Sequence, residues 1–97
     1  MDITAKELKE KLERGDHFLF IDVREKWEHE KSSLGAQNIP LNQLIKNLSE
    51  LASYKNEEIV VHCQTGQRSG MVKLVMKAAG FTQVRNLIGG IEAFFNV

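Results

Sequence analysis

The single cysteine of the chain, Cys63, is followed by Gln64, Thr65, Gly66, Gln67, Arg68 and Ser69. Those residue types in that order describe a site for an anionic sulfur. The thiolate is the nucleophilic form of cysteine, and it is favoured where backbone N–H groups or a cation converge on it. Gly66 permits the left-handed turn that curls a loop back over its first residue. Such a curl aims several amides at one point and makes an anion nest. The helix expected to begin near Ser69 adds free N–H groups and the positive end of its dipole. Gly70 allows close packing at that helix start. A lone cysteine at a strand end is otherwise a small buried hydrophobe. The glycine, the arginine, the serine and the strand-to-helix setting together favour a nucleophile with a pKa below the ~8.5 of a free thiol.

Other chemistries fit less well. A nucleotide P-loop is also a strand–loop–helix anion site, but it ends in Gly-Lys-Ser/Thr, and "GQRSG" has no lysine. His17, His29 and His62 lie far apart with no ligand spacing, so no metal is expected. His62 reads as a strand residue flanking the site. Arg68 has two readings, which the residues leave open. It draws an anionic donor to the loop mouth, or it braces the loop by pairing with Asp22 or Glu25. Asp22 and Arg24 end a strand on the same edge and are candidate supporting residues. Trp27 is expected to pack partly on a short helix, and Met71 and Met76 to fill the core or a groove.

Composition bounds these readings. The chain has 97 residues, 42% hydrophobic and 27% charged, the profile of one ordinary globular domain over 1–97. Lysine plus arginine and aspartate plus glutamate are 13 each, so no global field points to nucleic acid or an anionic membrane. A lone cysteine forms no internal disulfide. The charged start "MDITAKELKE" has no apolar signal core, and no run approaches the ~20 apolar residues of a membrane span. The expectation is a cytoplasmic protein with a reduced thiol.

Elements that would position Cys63 alternate along the chain. "DITAKELKEKLERG" has capping-box spacing at Thr4 and Glu7, a shared face at Leu8 and Leu12, and a stop at Gly15. "HFLFIDV" lacks polar alternation and suits a strand covered on both faces. "REKWEHEKSS" reads as a short helix or turn, and Pro40 pushes Ile39 toward extended geometry. "LNQLIKNLSELASY" carries Leu41, Leu44, Ile45, Leu48 and Leu51 on one helical face. "EEIVVHC" is a second buried strand, "SGMVKLVMKAAG" a helix ending at Gly80, "TQVRNLIGG" a last strand and turn, and "IEAFFNV" a closing helical turn. The pattern predicts an open, mostly parallel sheet of about five strands with helices on both faces. Cys63 then lies at the carboxyl edge, where α/β sheets bind ligands.

With these elements in place, "CQTGQRS" after an apolar strand resembles the active-site loop of rhodanese-type sulfurtransferases. "FIDVRE" (Phe20 to Glu25) resembles the family's Asp-Val-Arg signature, and "LGAQNIP" (Leu34 to Pro40) its Gly-Ala-x-Asn-Ile-Pro segment. "LIGGIEAF" resembles its Gly-Gly-hydrophobic-x-x-aromatic close. These segments follow the family's order and cover most of the chain. In two places the chain departs from the pattern. "KSS" (Lys31 to Ser33) stands where Gly-His-Ile is usual, and Phe94 stands where tryptophan is usual.

The resemblance implies a rhodanese-like fold and two-step covalent sulfur transfer through a Cys63 persulfide. Gln64, Thr65, Gly66, Gln67, Arg68 and Ser69 would cradle the outer sulfur, with Asp22 and Arg24 in support and no cofactor. The donor would be thiosulfate or a persulfide, and the acceptor cyanide, a thiol or a carrier protein. With one cation in the loop, thiosulfate is expected to be captured weakly. Cys63 to Arg68 is Cys-x4-Arg, one residue shorter than the loop of the related phosphatases and arsenate reductases, which disfavours those activities. A non-catalytic binding module of the same fold is the remaining alternative, disfavoured by the retained cysteine.

Overall fold

A computed structural model describes residues 1–97. The order is α1 (Ala5–Arg14), β1 (Leu19–Asp22), α2 (Lys26–Lys31), β2 (Gln37–Asn38) and α3 (Leu41–Lys46), then a 3-10 segment over Leu48–Tyr54. It continues with β3 (Ile59–His62), α4 (Gln67–Ala78), β4 (Val84–Asn86) and α5 (Gly90–Phe94). The sheet has four parallel strands in the order β2-β1-β3-β4, where about five were expected. Beyond β4 the sheet is extended only by a single parallel bridge, Ile3 with Leu87. There Ile3 N–H donates to Asn86 O and Ile88 N–H to Ile3 O. Thr4, the next residue, already caps α1, so this segment has no length left to become a strand.

Strand alternation sorts side chains into two cores. Ile59, Val61 and Cys63 point to the face covered by α3 and α4, packing with Ile21, Leu44, Val72, Met76 and Val84. Val60 points to the other face, with Ile3, Leu8 and Leu87 against α1 and α5. β1 and β3 are buried on both sides, which is why neither alternates in sequence.

Several local expectations are corrected. Only half of the first capping box forms: Thr4 Oγ1 accepts from Glu7 N–H, while the Glu7 carboxylate pairs with Arg85 instead. The expected long helix after Pro40 breaks at Asn47, whose side chain donates to Gln43 O and so competes with the backbone ladder. α4 starts at Gln67, two residues before the expected point, because Gly66 with φ 104° takes the N-cap. Met76 is buried as expected, but Met71 and Trp27 are largely exposed, at 57% and 63%.

Candidate active site

The carboxyl end of β3 delivers Cys63 to the base of a tight loop, and α4 begins directly beyond it. Gly66 turns the loop with a positive φ, and its N–H donates to Cys63 Sγ at 3.1 Å. From the first turn of α4, Ser69 adds its N–H at 3.4 Å and its hydroxyl oxygen at 3.2 Å. Burial pushes the Cys63 thiol up. Hydrogen bonds from the Ser69 hydroxyl and N–H and from the Gly66 and Thr65 amides outweigh it and hold the pKa below the ordinary thiol value. Sγ therefore sits at the focus of donors supplied by a curled loop and a helix start. Of the remaining loop residues only the Thr65 amide joins the donors to the sulfur; the Gln64 side chain bridges Arg24 and Glu92, and Thr65 and Gln67 are exposed.

Asp22 and Arg24 meet at the adjacent end of β1. Both are buried, at 0% and 2% exposure. Asp22 Oδ2 lies 2.8 Å from Arg24 Nη2, and Oδ1 accepts from Arg24 Nε and N–H. Burial raises the Asp22 carboxyl, but hydrogen bonds from Arg24 and His29 overcome this and leave it below the ordinary aspartate value of 3.8. Arg24 then reaches the cysteine loop, donating from Nη1 to Gln64 Oε1 at 3.2 Å. Its Nη2 also donates to Ser32 O at 2.7 Å, so the backbone of the segment that departs from the family pattern braces the site. Asn38 secures the same turn by donating to the carbonyls of Asp22 and Arg24.

Arg68 pairs with neither Asp22 nor Glu25. Its guanidinium meets the Glu28 carboxylate with two parallel bonds, 2.7 and 2.9 Å, tying the start of α4 to α2. The Glu28 side chain also accepts from Glu25 N–H and caps its own helix. In this geometry Arg68 braces the loop, through Glu28 rather than the expected Asp22 or Glu25. His62 is fully buried against Phe20 on the sheet face opposite Cys63, ring centroids 5.5 Å apart. Burial pulls it below the ordinary histidine value. His17 and His62 do not converge, and no cluster with metal-ligand geometry exists.

α5, which opens at the closing glycines, holds the loop through its first backbone N–H groups. Ile91 N–H donates to Cys63 O at 2.9 Å and Glu92 N–H to Gln64 O at 3.3 Å. Beside the loop runs a groove of about 290 Å³ bordered by Arg24, Trp27, Glu28, Lys31, Ser32 and Gln64. Glu28 and Asn86, which touch Arg68 and Ser69, were not singled out from sequence, and His29, weighed there only as a metal ligand, lies against Asp22. The only signal for Glu28 was its place three residues after Glu25, the spacing of a capping box.

A parallel four-stranded sheet with a cysteine in an amide-lined loop at its carboxyl edge defines an α/β protein built around one sulfur held by hydrogen-bond donors. The chain belongs to the rhodanese-like domain family, whose model matches residues 4–96. Among curated relatives, the "Putative sulfur carrier protein YrkF" of Bacillus subtilis is 35% identical over 92 residues, 94% of this chain and 49% of that protein. "Thiosulfate sulfurtransferase PspE" of Escherichia coli is 31% identical over 77 residues, 79% of this chain and 72% of that one. The "Probable adenylyltransferase/sulfurtransferase MoeZ" of Mycobacterium tuberculosis is 37% identical over 94 residues, 95% of this chain but 24% of that protein. The chain thus spans about half of YrkF and a quarter of MoeZ. Of solved structures, a rhodanese-like domain protein from Staphylococcus aureus matches with a TM-score of 0.81 at 32% identity, covering 97% of this chain and 91% of that one. The human single-domain sulfurtransferase TSTD1 matches at 0.82 and 25%, covering 98% and 95%. No helix is long and apolar enough to cross a membrane.

Proposed function

We propose that this chain is a sulfurtransferase that carries sulfane sulfur as a persulfide on Cys63. The observation that carries the reading is the convergence of the Gly66 N–H, the Ser69 N–H and the Ser69 hydroxyl on one sulfur atom. Such donors stabilise negative charge on the attacking thiolate, and after transfer on the outer sulfur of the persulfide. In the first step the thiolate attacks the outer sulfur of a donor such as thiosulfate. An S–S bond forms, the donor's own S–S bond breaks, and sulfite leaves with the electron pair. In the second step an acceptor thiolate attacks the outer sulfur, takes it as its own persulfide and restores the Cys63 thiolate. No general base is needed, because the attacking group has no proton to lose.

Donor preference follows from charge. Arg68 is neutralised by Glu28 and Arg24 by Asp22, so of the cations bordering the loop and groove only exposed Lys31 is left for thiosulfate to meet. A persulfide or carrier-protein donor is the better substrate, and a thiol or carrier protein the acceptor. The name of YrkF, a sulfur carrier protein, supports a carrier-linked role. The reading places the chain in the cytoplasm, where the thiol stays reduced. Intact-mass measurement after incubation with thiosulfate or a small persulfide tests it. The expected result is a gain of one sulfur atom, absent in Cys63→Ser and removed by cyanide. Stable absence of that adduct with both donors overturns the proposal.

A further inference from the structure

Asn86, the last residue of β4, faces the cysteine loop from the neighbouring strand. Its Nδ2 donates to Gly66 O at 3.0 Å, and its Oδ1 lies 2.5 Å from Ser69 Oγ. A carbonyl only accepts, so the first contact fixes the amide's orientation and leaves an acceptor facing Ser69. Gly70 keeps the space open, since a Cβ there would lie 3.3 Å from Nδ2. The Ser69 hydroxyl has one proton and two acceptors in reach, Asn86 Oδ1 and, at 3.2 Å, Cys63 Sγ. While Cys63 is neutral, its S–H can donate to Ser69 Oγ and the hydroxyl on to Asn86. Once the sulfur is anionic, the hydroxyl turns to it.

We infer that Asn86 is a positioning residue that sets the reactivity of Cys63 through Ser69 and Gly66, keeping both donors aimed at the sulfur. The amide anchors the loop at Gly66 and fixes the Ser69 side chain within reach of Sγ, and its oxygen takes the hydroxyl proton when the sulfur does not need it. The charged groups around the loop are already paired. Arg68 meets Glu28, Asp22 meets Arg24, and Asp2, which accepts from Asn86 N–H, meets Lys73. Glu92 on α5 accepts from the Gln64 side chain, and buried His62 stays neutral at neutral pH. Neutral donors are therefore left to tune Cys63. The inference deepens the proposed function but depends only on Cys63 being a nucleophile.

The rate of iodoacetamide alkylation against pH, measured without any sulfur donor, tests it. Asn86→Asp removes the donor to Gly66 and adds negative charge, and should move the midpoint up by about one pH unit or more. Asn86→Ala should move it up less, because losing the Gly66 anchor is partly offset by losing an acceptor that competes with the sulfur for the Ser69 proton. The upward shift should be larger in a Ser69→Ala background, where that competition is gone. A lowered thermal midpoint with an unmoved alkylation midpoint in Asn86→Asp overturns the inference. So do equal Asn86→Ala shifts in both backgrounds. Wild-type protein that shows the low midpoint but takes up no sulfur defeats the sulfur-transfer reading alone, and leaves the role of Asn86 to stand or fall by its variants.

Discussion

Glu28 on α2 and Arg68 on α4, 40 residues apart in the chain, face each other as two forks with their paired atoms at 2.7 and 2.9 Å. The pair closes the loop from outside, since Arg68 lies one residue before Ser69, which touches the sulfur. It also removes the loop's only cation from the electrostatics a donor would meet. Hydrogen bonding by Arg68 holds the Glu28 carboxyl below its ordinary value, so the pair stays charged throughout the neutral range.

Replacing Glu28 with Gln should therefore free the guanidinium. The side chain of Arg68 is 40% exposed, so the cost in stability is small, at most about 1 kcal/mol. The expected kinetic result is a several-fold lower KM for thiosulfate at low ionic strength, fading as salt screens the charge. An unchanged KM at low salt would show that Arg68 does not face the donor even when free.

That pairing shows where the sequence ran out. Cys63, Gly66 and the strand ahead of them are a contiguous pattern whose chemistry follows from neighbours, so the sheet edge and the loop were readable. Arg68 was readable as an arginine near the site, but its partner is fixed by how α2 packs beside α4, a tertiary fact. Asn86 sits in a short strand where nothing local distinguishes it from a surface residue. The break at Asn47 was hidden because Leu48 and Leu51 keep helical spacing into the 3-10 turns and still pack on the core. The missing fifth strand failed on length: Ile3 makes ladder bonds, but Thr4 caps the helix that follows at once.

The buried Asp22–Arg24 pair should dominate a different measurement. Asp22→Ala leaves the guanidinium uncompensated in the interior, and removing one member of a buried pair costs about 3–5 kcal/mol. Chemical denaturation should show that loss. A cost under about 1 kcal/mol would mean that water or Gln64 replaces the carboxylate.

Acid should destabilise the fold in two stages. His62 is held below its ordinary value of 6.5 by burial, so below that pH the unfolded chain binds the proton more readily and stability falls. Its Nδ1 faces Cys63 O at 3.3 Å, while Nε2 has no hydrogen-bond partner and lies 3.9 Å from Asp22 Oδ2. Protonation in place would leave a buried charge that Asp22 only partly offsets. Asp22, lowered in the fold, contributes stability that is complete above 3.8 and is lost as pH drops through its folded value. Unfolding free energy followed from pH 8 to 3 should decline first below about 6.5 and again below about 4. His62→Leu should abolish the first decline and leave the second. If the first limb persists in that variant, another histidine is responsible.

Gly90 makes the sharpest steric prediction. Its φ is 64°, and a Cβ there would lie 2.4 Å from Gln64 O and 2.7 Å from Cys63 O, both backbone atoms. Neither can yield without moving the cysteine loop itself. Gly15 offers the control, because it has a similar φ of 72° but nothing within 4 Å of the added carbon. Gly15→Ala should cost only the left-handed backbone penalty, about 1–2 kcal/mol, and leave sulfur loading intact. Gly90→Ala bears the same penalty plus overpacking of about 1–3 kcal/mol. It should also slow alkylation of Cys63, since the displaced carbonyls carry the loop amides away from the sulfur. Equal behaviour of the two variants would mean that α5 merely covers the sheet and takes no part in shaping the loop.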